Sequence, residues 1–169
     1  GATFIVTPGF DEEIVRFCIS NDVLIVPGCV TPSEITRAHK LGLEVVKFFP
    51  ANVYGGIAGC SALHGPFSLM KFIPNGGISL SNLSSYTGKP FIHAIGGGWL
   101  CSGKDMQNGH YENIKKAAIQ SVDTLLDLKA ENVQTAEESL YENMISANPT
   151  GIPPLTHIST INIKRAIYH

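Results

Sequence analysis

Five short apolar runs recur along the first part of the chain, and each one stops at proline or glycine. They are Thr3–Val6, Val23–Val26, Val45–Phe49, Lys71–Ile73 and Phe91–Ile95. Their spacing of roughly 20–25 residues leaves room for one strand and one helix per repeat. None of the runs alternates cleanly between apolar and polar residues. A strand that reads as continuously apolar is covered on both faces, the condition of a parallel sheet flanked by helices. The stops are Pro8-Gly9, Pro27-Gly28, Pro50, Pro74 with Gly76-Gly77, and Gly96-Gly97-Gly98, residues that turn a chain out of a sheet. The expected class is α/β, with about five βα units in series.

Helix signals fall between the runs. Thr31-Pro32-Ser33-Glu34 supplies a cap, a proline for the first helical position and the glutamate of a capping box. Ile35, Ala38 and Leu41 follow on one face, and Gly42 is placed to end that helix. Asp11 to Ser20 carries Ile14, Val15, Cys18 and Ile19 on one side, and Glu112 to Leu128 carries Ile114, Ala118, Val122 and Leu125 at helical spacing.

A closed eight-unit barrel needs about 200–250 residues, whereas this chain has 169 and keeps its rhythm only to residue 128. The residues alone leave two architectures open: an open five-stranded parallel sheet, or a (β/α)8 barrel without its first units. Gly1-Ala2-Thr3-Phe4 reads as the entry to a strand, so a natural N-terminus is expected upstream. After Lys129 the pattern changes. Residues 130–145 are expected to form a polar amphipathic helix, 148–154 a linker, and 157–161 a short strand before a helix start at Lys164. The expected division is a barrel part over 1–128 and a C-terminal extension over 129–169. Five strands alone leave two unpaired edges and an apolar face, so a chain of this length is expected to be unstable alone or to associate.

Net charge is −2, which gives no electrostatic case for nucleic acid or an anionic membrane as partner. No apolar run approaches the length of a spanning helix, and no signal-peptide pattern opens the sequence. Cys18, Cys29, Cys60 and Cys101 form no C-x-x-C pair, so neither a zinc site nor a redox motif is expected, and reduced thiols in a cytoplasmic setting are. No metal or cofactor is expected.

Candidate chemistry starts at Lys47, a lysine inside the apolar string Val45-Val46-Lys47-Phe48-Phe49-Pro50. A lysine there either snorkels to water or presents its amine at the end of the sheet, where a neutral amine can attack a carbonyl. Lys71-Phe72-Ile73-Pro74 repeats the pattern, and the residues alone do not choose between the two lysines. Two glycine-rich turns, Asn75-Gly76-Gly77-Ile78 and Gly96-Gly97-Gly98-Trp99, follow the last two runs. Bare N–H groups in such turns can approach an anion, and in (β/α) barrels the loops after the last strands commonly hold phosphate. Tight turns requiring positive φ explain the same glycines. His64 and His93 are the histidines nearest strands of interest, and a structural or exposed position accounts for each. No pair of carboxylates sits beside a strand end, so an acid–base pair is not evident.

Taken together, these strings resemble the 2-keto-3-deoxy-6-phosphogluconate and 4-hydroxy-2-oxoglutarate aldolases. The matching elements are Phe4 to Gly9, Ile25 to Gly28, Val46 to Ala51, Gly65-Pro66-Phe67, Ile73 to Ile78 and Ile95 to Leu100, in order and over about residues 1–128. The resemblance implies a lyase that cleaves a 2-keto acid to pyruvate and an aldehyde through a Schiff-base lysine, and it selects Lys47. It places Pro8 near the pyruvate portion, and Asn75, Gly76, Gly77, Gly96, Gly97 and Gly98 around a phosphate. Two departures stand out: Asn75 replaces a threonine, and Gly98 replaces a serine whose hydroxyl is lost. The resemblance also implies that the chain begins at the fourth barrel strand, lacking the catalytic glutamate and the Arg and Thr that hold the substrate carboxylate. It implies a small 2-keto acid substrate, with or without a phosphate, and a homotrimer. The tail loosely resembles a strand–helix piece of a glyoxalase-like (vicinal oxygen chelate) domain. The alternative function is a catalytically incomplete barrel fragment that binds an anion or a protein partner.

Overall fold

The computed structural model describes residues 2–126. The helix, linker and strand expected after Lys129, the 129–169 extension and its glyoxalase-like piece lie outside the described residues. Within them the chain is α/β. Strands β1 (Phe4–Val6), β2 (Leu24–Val26), β3 (Val45–Phe48) and β4 (Lys71–Pro74) alternate with helices α1 (Glu12–Ser20), α2 (Pro32–Lys40) and α3 (Gly56–His64). β1 pairs with β2 and β3 with β4, both parallel and in register from Phe4↔Leu24 and Val45↔Lys71. A parallel bridge between Gly28 and Lys47 joins the two pairs, so the strands lie side by side in chain order.

The fifth run is a correction. Phe91–Ile95 does not form a strand; a single parallel bridge, Phe72↔Ile92, carries it beside β4. Phe72 N donates to Phe91 O at 2.8 Å, His93 N donates to Phe72 O at 2.9 Å, and Gly96 N donates to Pro74 O at 3.0 Å. Pro74 is the reason the ladder is so short, because a proline at that position has no N–H to give a neighbour.

The helix starts follow the local chemistry. Asp11 accepts from the amides of Glu13 and Ile14 at 3.0 and 3.1 Å, capping α1. Thr31 and Glu34 form the full capping box of α2, with Glu34 N to Thr31 Oγ1 at 3.3 Å and Thr31 N to Glu34 Oε2 at 2.9 Å. Two helices have no strong signal in the sequence. Helix α3 starts at Gly55 in the left-handed region, with no side-chain cap, and buries only Cys60, so it lacks an amphipathic stripe. Helix α4 (Gly103–Gln107) is a single capped turn and more. Residues 111–126 are helical as well.

Side-chain alternation divides the sheet into two faces. Ile25, Cys29, Val46, Phe48 and Phe72 point to the helices and are buried among Val15, Cys18, Ile35, Ala38 and Cys60. Phe48 and Phe72 meet edge to face, with ring centroids 6.2 Å apart. The opposite face carries Phe4, Val6, Leu24, Val45, Lys47, Lys71 and Ile73. It is open: Leu24 is 65% exposed and Phe4 54%. An apolar face left uncovered in this way is a surface that another part of a fold normally occupies.

Candidate active site

Lys47 is the third residue of β3 and stands level with Ile73 of β4 and Gly28 beyond β2. Its backbone is fixed on both sides. Lys47 N donates to Pro27 O at 2.9 Å, and Lys47 O accepts from Cys29 N at 2.8 Å. The half-buried side chain lies on the open face, with Nζ 4.4 Å from the centroid of the Phe49 ring. The Phe49 ring against it narrows the positions this flexible side chain can take. Lys71 stands level with Val45, at the start of β4, and is exposed. Two residues of strand separate the levels, about 7 Å at the usual rise. The two lysines therefore sit toward opposite ends of the same face.

The loops that follow the strands gather at the end where Lys47 lies. Pro8 follows β1, and its carbonyl rests directly against Gly28. Asn75 N donates to Phe48 O at 3.0 Å, and Ala51 N and Asn52 N donate to Asn75 O and Gly76 O at 2.8 and 3.2 Å. The turn after β4 is thus laced onto the exit of β3. Gly76 and Gly77 have φ of +96° and +71°, and a Cβ on Gly77 would run into the Asn52 side chain. Both the conformation and the contact require glycine there. Gly96 comes next, with the Asn75 side-chain amide beside it. Gly97, fully extended, opens a 3-10 turn at Gly98–Leu100, and Gly98 faces open space. Pro8, Lys47, Asn75, Gly76, Gly77, Gly96, Gly97 and Gly98 therefore all follow or close the C-terminal ends of adjacent parallel segments.

Residues 1–117 match the family model for KDPG and KHG aldolase. The chain belongs to this aldolase family. It is 39% identical over 122 residues to the 2-dehydro-3-deoxy-phosphogluconate aldolase of Treponema pallidum, covering 72% of this chain and 58% of that protein. The Pseudomonas aeruginosa enzyme of the same name is 36% identical over 123 residues, covering 73% and 56%. Among solved structures, KDPG aldolase from Legionella pneumophila matches with a TM-score of 0.66 and 31% identity, over 69% of this chain and 57% of that one. That structure has pyruvate captured at low pH as a covalent carbinolamine intermediate. The chain spans somewhat more than half the length of the relatives it matches.

The surroundings of Lys47 differ from a complete acid–base site. The ion pairs among the described residues are Arg16–Glu12 at 2.7 Å and His110–Asp105 at 3.5 Å, so no carboxylate among them lies within 4.0 Å of Lys47. Asp11 and Glu34, which follow β1 and β2, are committed to helix caps. Cys29, beside Lys47 in the ladder, is buried, and burial together with the Glu34 charge pushes its thiol from 9.0 up to about 12. Burial pushes Cys60 to about 12 as well, and raises the Tyr86 phenol. These thiols stay protonated and unreactive near neutrality. His64 is structural: Nδ1 lies 3.3 Å from Met70 O, and the ring stacks on Phe91 at 4.8 Å. His93 is exposed.

Three contributors carry little signal in the sequence. Phe49 carries the Lys47 amine, and only strand alternation of i and i+2 hints at it. Asn52 faces Gly77 across a contact between separate turns. Ser121 is the third, and it corrects the helical stripe. Val122 is 52% exposed, and Ser121, at 4%, takes the buried position. The helix turns Ile114, Ala117, Ser121 and Leu125 inward, so Ile114 and Leu125 stand as expected while Ala117 and Ser121 take the places of Ala118 and Val122. A serine where an apolar residue fits the period is the signal that was available.

Proposed function

We propose that this chain carries the lysine and phosphate arms of a class I aldolase that cleaves 2-keto-3-deoxy-6-phosphogluconate, 4-hydroxy-2-oxoglutarate or both. The observation that supports it best is the position of Lys47: half-buried, on the open face, level with the ends of the strands whose turns carry the glycines. The neutral Nζ attacks the 2-keto carbon, giving a carbinolamine; loss of water forms the iminium. The iminium accepts the electron pair of the breaking C3–C4 bond, the C4 hydroxyl gives up its proton, and an aldehyde leaves. An enamine of pyruvate remains; it takes a proton at C3, and water then frees pyruvate and Lys47. The aldehyde is glyceraldehyde 3-phosphate from the phosphorylated substrate and glyoxylate from the other. Pro8 borders the pyruvate portion. The amides of Gly77, Gly97 and Gly98, with Asn75, Gly76 and Gly96 around them, face the phosphate.

The five parallel segments are read as the later part of a (β/α)8 barrel over 1–128, followed by an extension over 129–169. The uncovered apolar face, the half-length coverage of the relatives and the absence of a carboxylate beside Lys47 among the described residues support this reading. The proton-moving glutamate and the carboxylate-binding Arg and Thr then belong to units preceding β1. A homotrimer in a reducing, cytoplasmic setting completes the proposal; the four free cysteines and the absence of a membrane-length apolar helix among the described residues are in keeping with that setting. The alternative, a fragment that binds an anion or a partner without chemistry, draws less support, because the family match runs through the Lys47 strand and both turns.

Pyruvate with borohydride tests the core of this proposal, since trapping needs the lysine and not the cleavage step. Mass spectrometry of the digested chain is expected to find the reduced adduct on Lys47. No adduct, or an adduct on Lys71, overturns the assignment.

A further inference from the structure

Trp99 is the single tryptophan of the chain, and it lies on the turn proposed to face phosphate. Its indole folds back over Gly97, so closely that a Cβ there would collide with the ring. Its nitrogen reaches away from the turn, and Nε1 donates to Ser121 Oγ at 2.9 Å, across 22 residues of sequence. The Ser121 hydroxyl gives its own proton to Ala117 O at 2.7 Å. That direction matters. An indole N–H can only donate, so it needs an acceptor, and a hydroxyl whose proton is already placed presents its lone pairs. Ser121 is also the one polar side chain buried among the described residues. Buried hydroxyls cost free energy unless they are paired. This one is paired on both sides, and its second partner is the residue that covers Gly97.

We propose that Ser121 and Trp99 are positioning residues for anion binding: the helix at 111–126 holds the indole, and the indole sets the path of Gly96–Gly98 so that its amides face a phosphate group. The inference rests on the phosphate arm proposed above, and it concerns neither the lysine nor the keto acid. Without the Ser121 acceptor the indole N–H must seek water, the ring leaves Gly97, and the extended backbone at that residue loses its support. The loss falls on the phosphate arm alone. Lys47 is held by Pro27, Cys29 and Phe49 and does not depend on the turn.

The test titrates inorganic phosphate into the full chain, read by 31P line broadening and by the emission of Trp99. Ser121→Ala is expected to weaken phosphate binding about threefold to tenfold, the worth of one buried hydrogen bond, and to shift the Trp99 emission to the red. Its rate of pyruvate adduct formation is expected to stay within twofold of the parent, a split that general loosening of the fold does not produce. Ser121→Thr, which keeps the hydroxyl, is expected to restore the affinity. Trp99→Phe removes the N–H that Ser121 holds, so its ring is no longer anchored over Gly97; it is expected to lose as much, and the double variant to be no worse than either single one. It also decides the matter through 31P if Ser121→Ala does not fold. Parent-like phosphate binding in both single variants overturns the positioning role and leaves the phosphate site standing. No phosphate binding by the parent chain, with Lys47 still trapped by pyruvate, overturns the phosphate arm and this role together and spares the lysine assignment.

Discussion

Strands β3 and β4 carry nearly the same string, Lys-Phe-Phe-Pro and Lys-Phe-Ile-Pro, side by side in one parallel ladder. They are not aligned like with like. Lys71 stands opposite Val45, and Lys47 opposite Ile73, so the second copy is set back by two residues. The shift is even, and side-chain direction repeats every two residues. Phe48 and Phe72 therefore stay in the core and both lysines stay on the open face. What changes is height. Lys47 rises to the end where the turns gather, with Phe49 beneath its amine, while Lys71 stays at the entrance of its strand in solvent. Pro50 lies beyond β3, whereas Pro74 is fully buried inside β4. Identical local chemistry thus yields one candidate nucleophile and one solvated cation, and register alone separates them.

The sharpest way to break this comparison is to remove each lysine. Lys47→Met is expected to abolish pyruvate trapping to background, and Lys71→Met to leave the yield within twofold of the parent, both read by intact-mass spectrometry. Loss of the adduct in Lys71→Met means that register is not what distinguishes them. The next effect concerns what the strings share. Phe48→Ala and Phe72→Ala are each expected to cost about 3–5 kcal/mol in urea unfolding, as truncations of fully buried rings do. Because the rings touch, the double variant is expected to cost less or more than the sum by a measurable coupling of about 0.5–3 kcal/mol. Lys71→Met is the control, expected within about 0.5 kcal/mol of the parent. A mild Phe72→Ala beside a severe Phe48→Ala would show that the two strands do not share one core.

The smallest effect, taken per pH unit, lies on the flank of β3, where Cys29 N meets Lys47 O. The Cys29 and Cys60 thiols are raised from 9.0 to about 12 in the folded chain. An unfolded chain releases those protons first, so the stability they contribute is whole below pH 9.0 and is lost as pH rises toward about 12. The slope is at most about 1.4 kcal/mol per pH unit for each thiol. Urea midpoints measured from pH 8 upward are expected to fall in this window, and less steeply in Cys29→Ala. A flat profile would mean that water reaches the thiol beside Lys47.

Much of the fold was legible because it depends on local rules. Thr31–Glu34 starts a helix wherever a hydroxyl and a carboxylate meet free amides, and the structure uses that box; the helix expected from Asp11 to Ser20 begins at Glu12, with Asp11 as its cap. Helix α3 was not legible, since Gly-Ile-Ala-Gly-Cys-Ser-Ala-Leu-His has neither cap nor stripe and is held by its surroundings. Phe91–Ile95 read as a strand from its apolar content, but its ladder partner includes Pro74, and a strand exists only as far as its neighbour can pair. In the helix at 111–126 the period was right and Ile114 and Leu125 turn inward as expected, but Ala117 and Ser121 take the inner places of Ala118 and Val122, and Ser121 meets the Trp99 nitrogen there.

By itself, the sequence determined the class of structure and the identity of the chemical groups: parallel strands from continuous apolar runs, turns from proline and glycine, and an amine set in an apolar strand. Those follow from propensity and periodicity, which act over a few residues. Only the tertiary structure decided which of two equivalent lysines reaches the turns, that Asn75 and Gly76 are tied to Ala51 and Asn52, and that a serine far along the chain holds the indole over Gly97. Each of these is a matter of register or of contact between distant segments. A ladder can slide by two residues without changing which side chains are buried, so local pattern leaves the choice open and packing of the whole makes it.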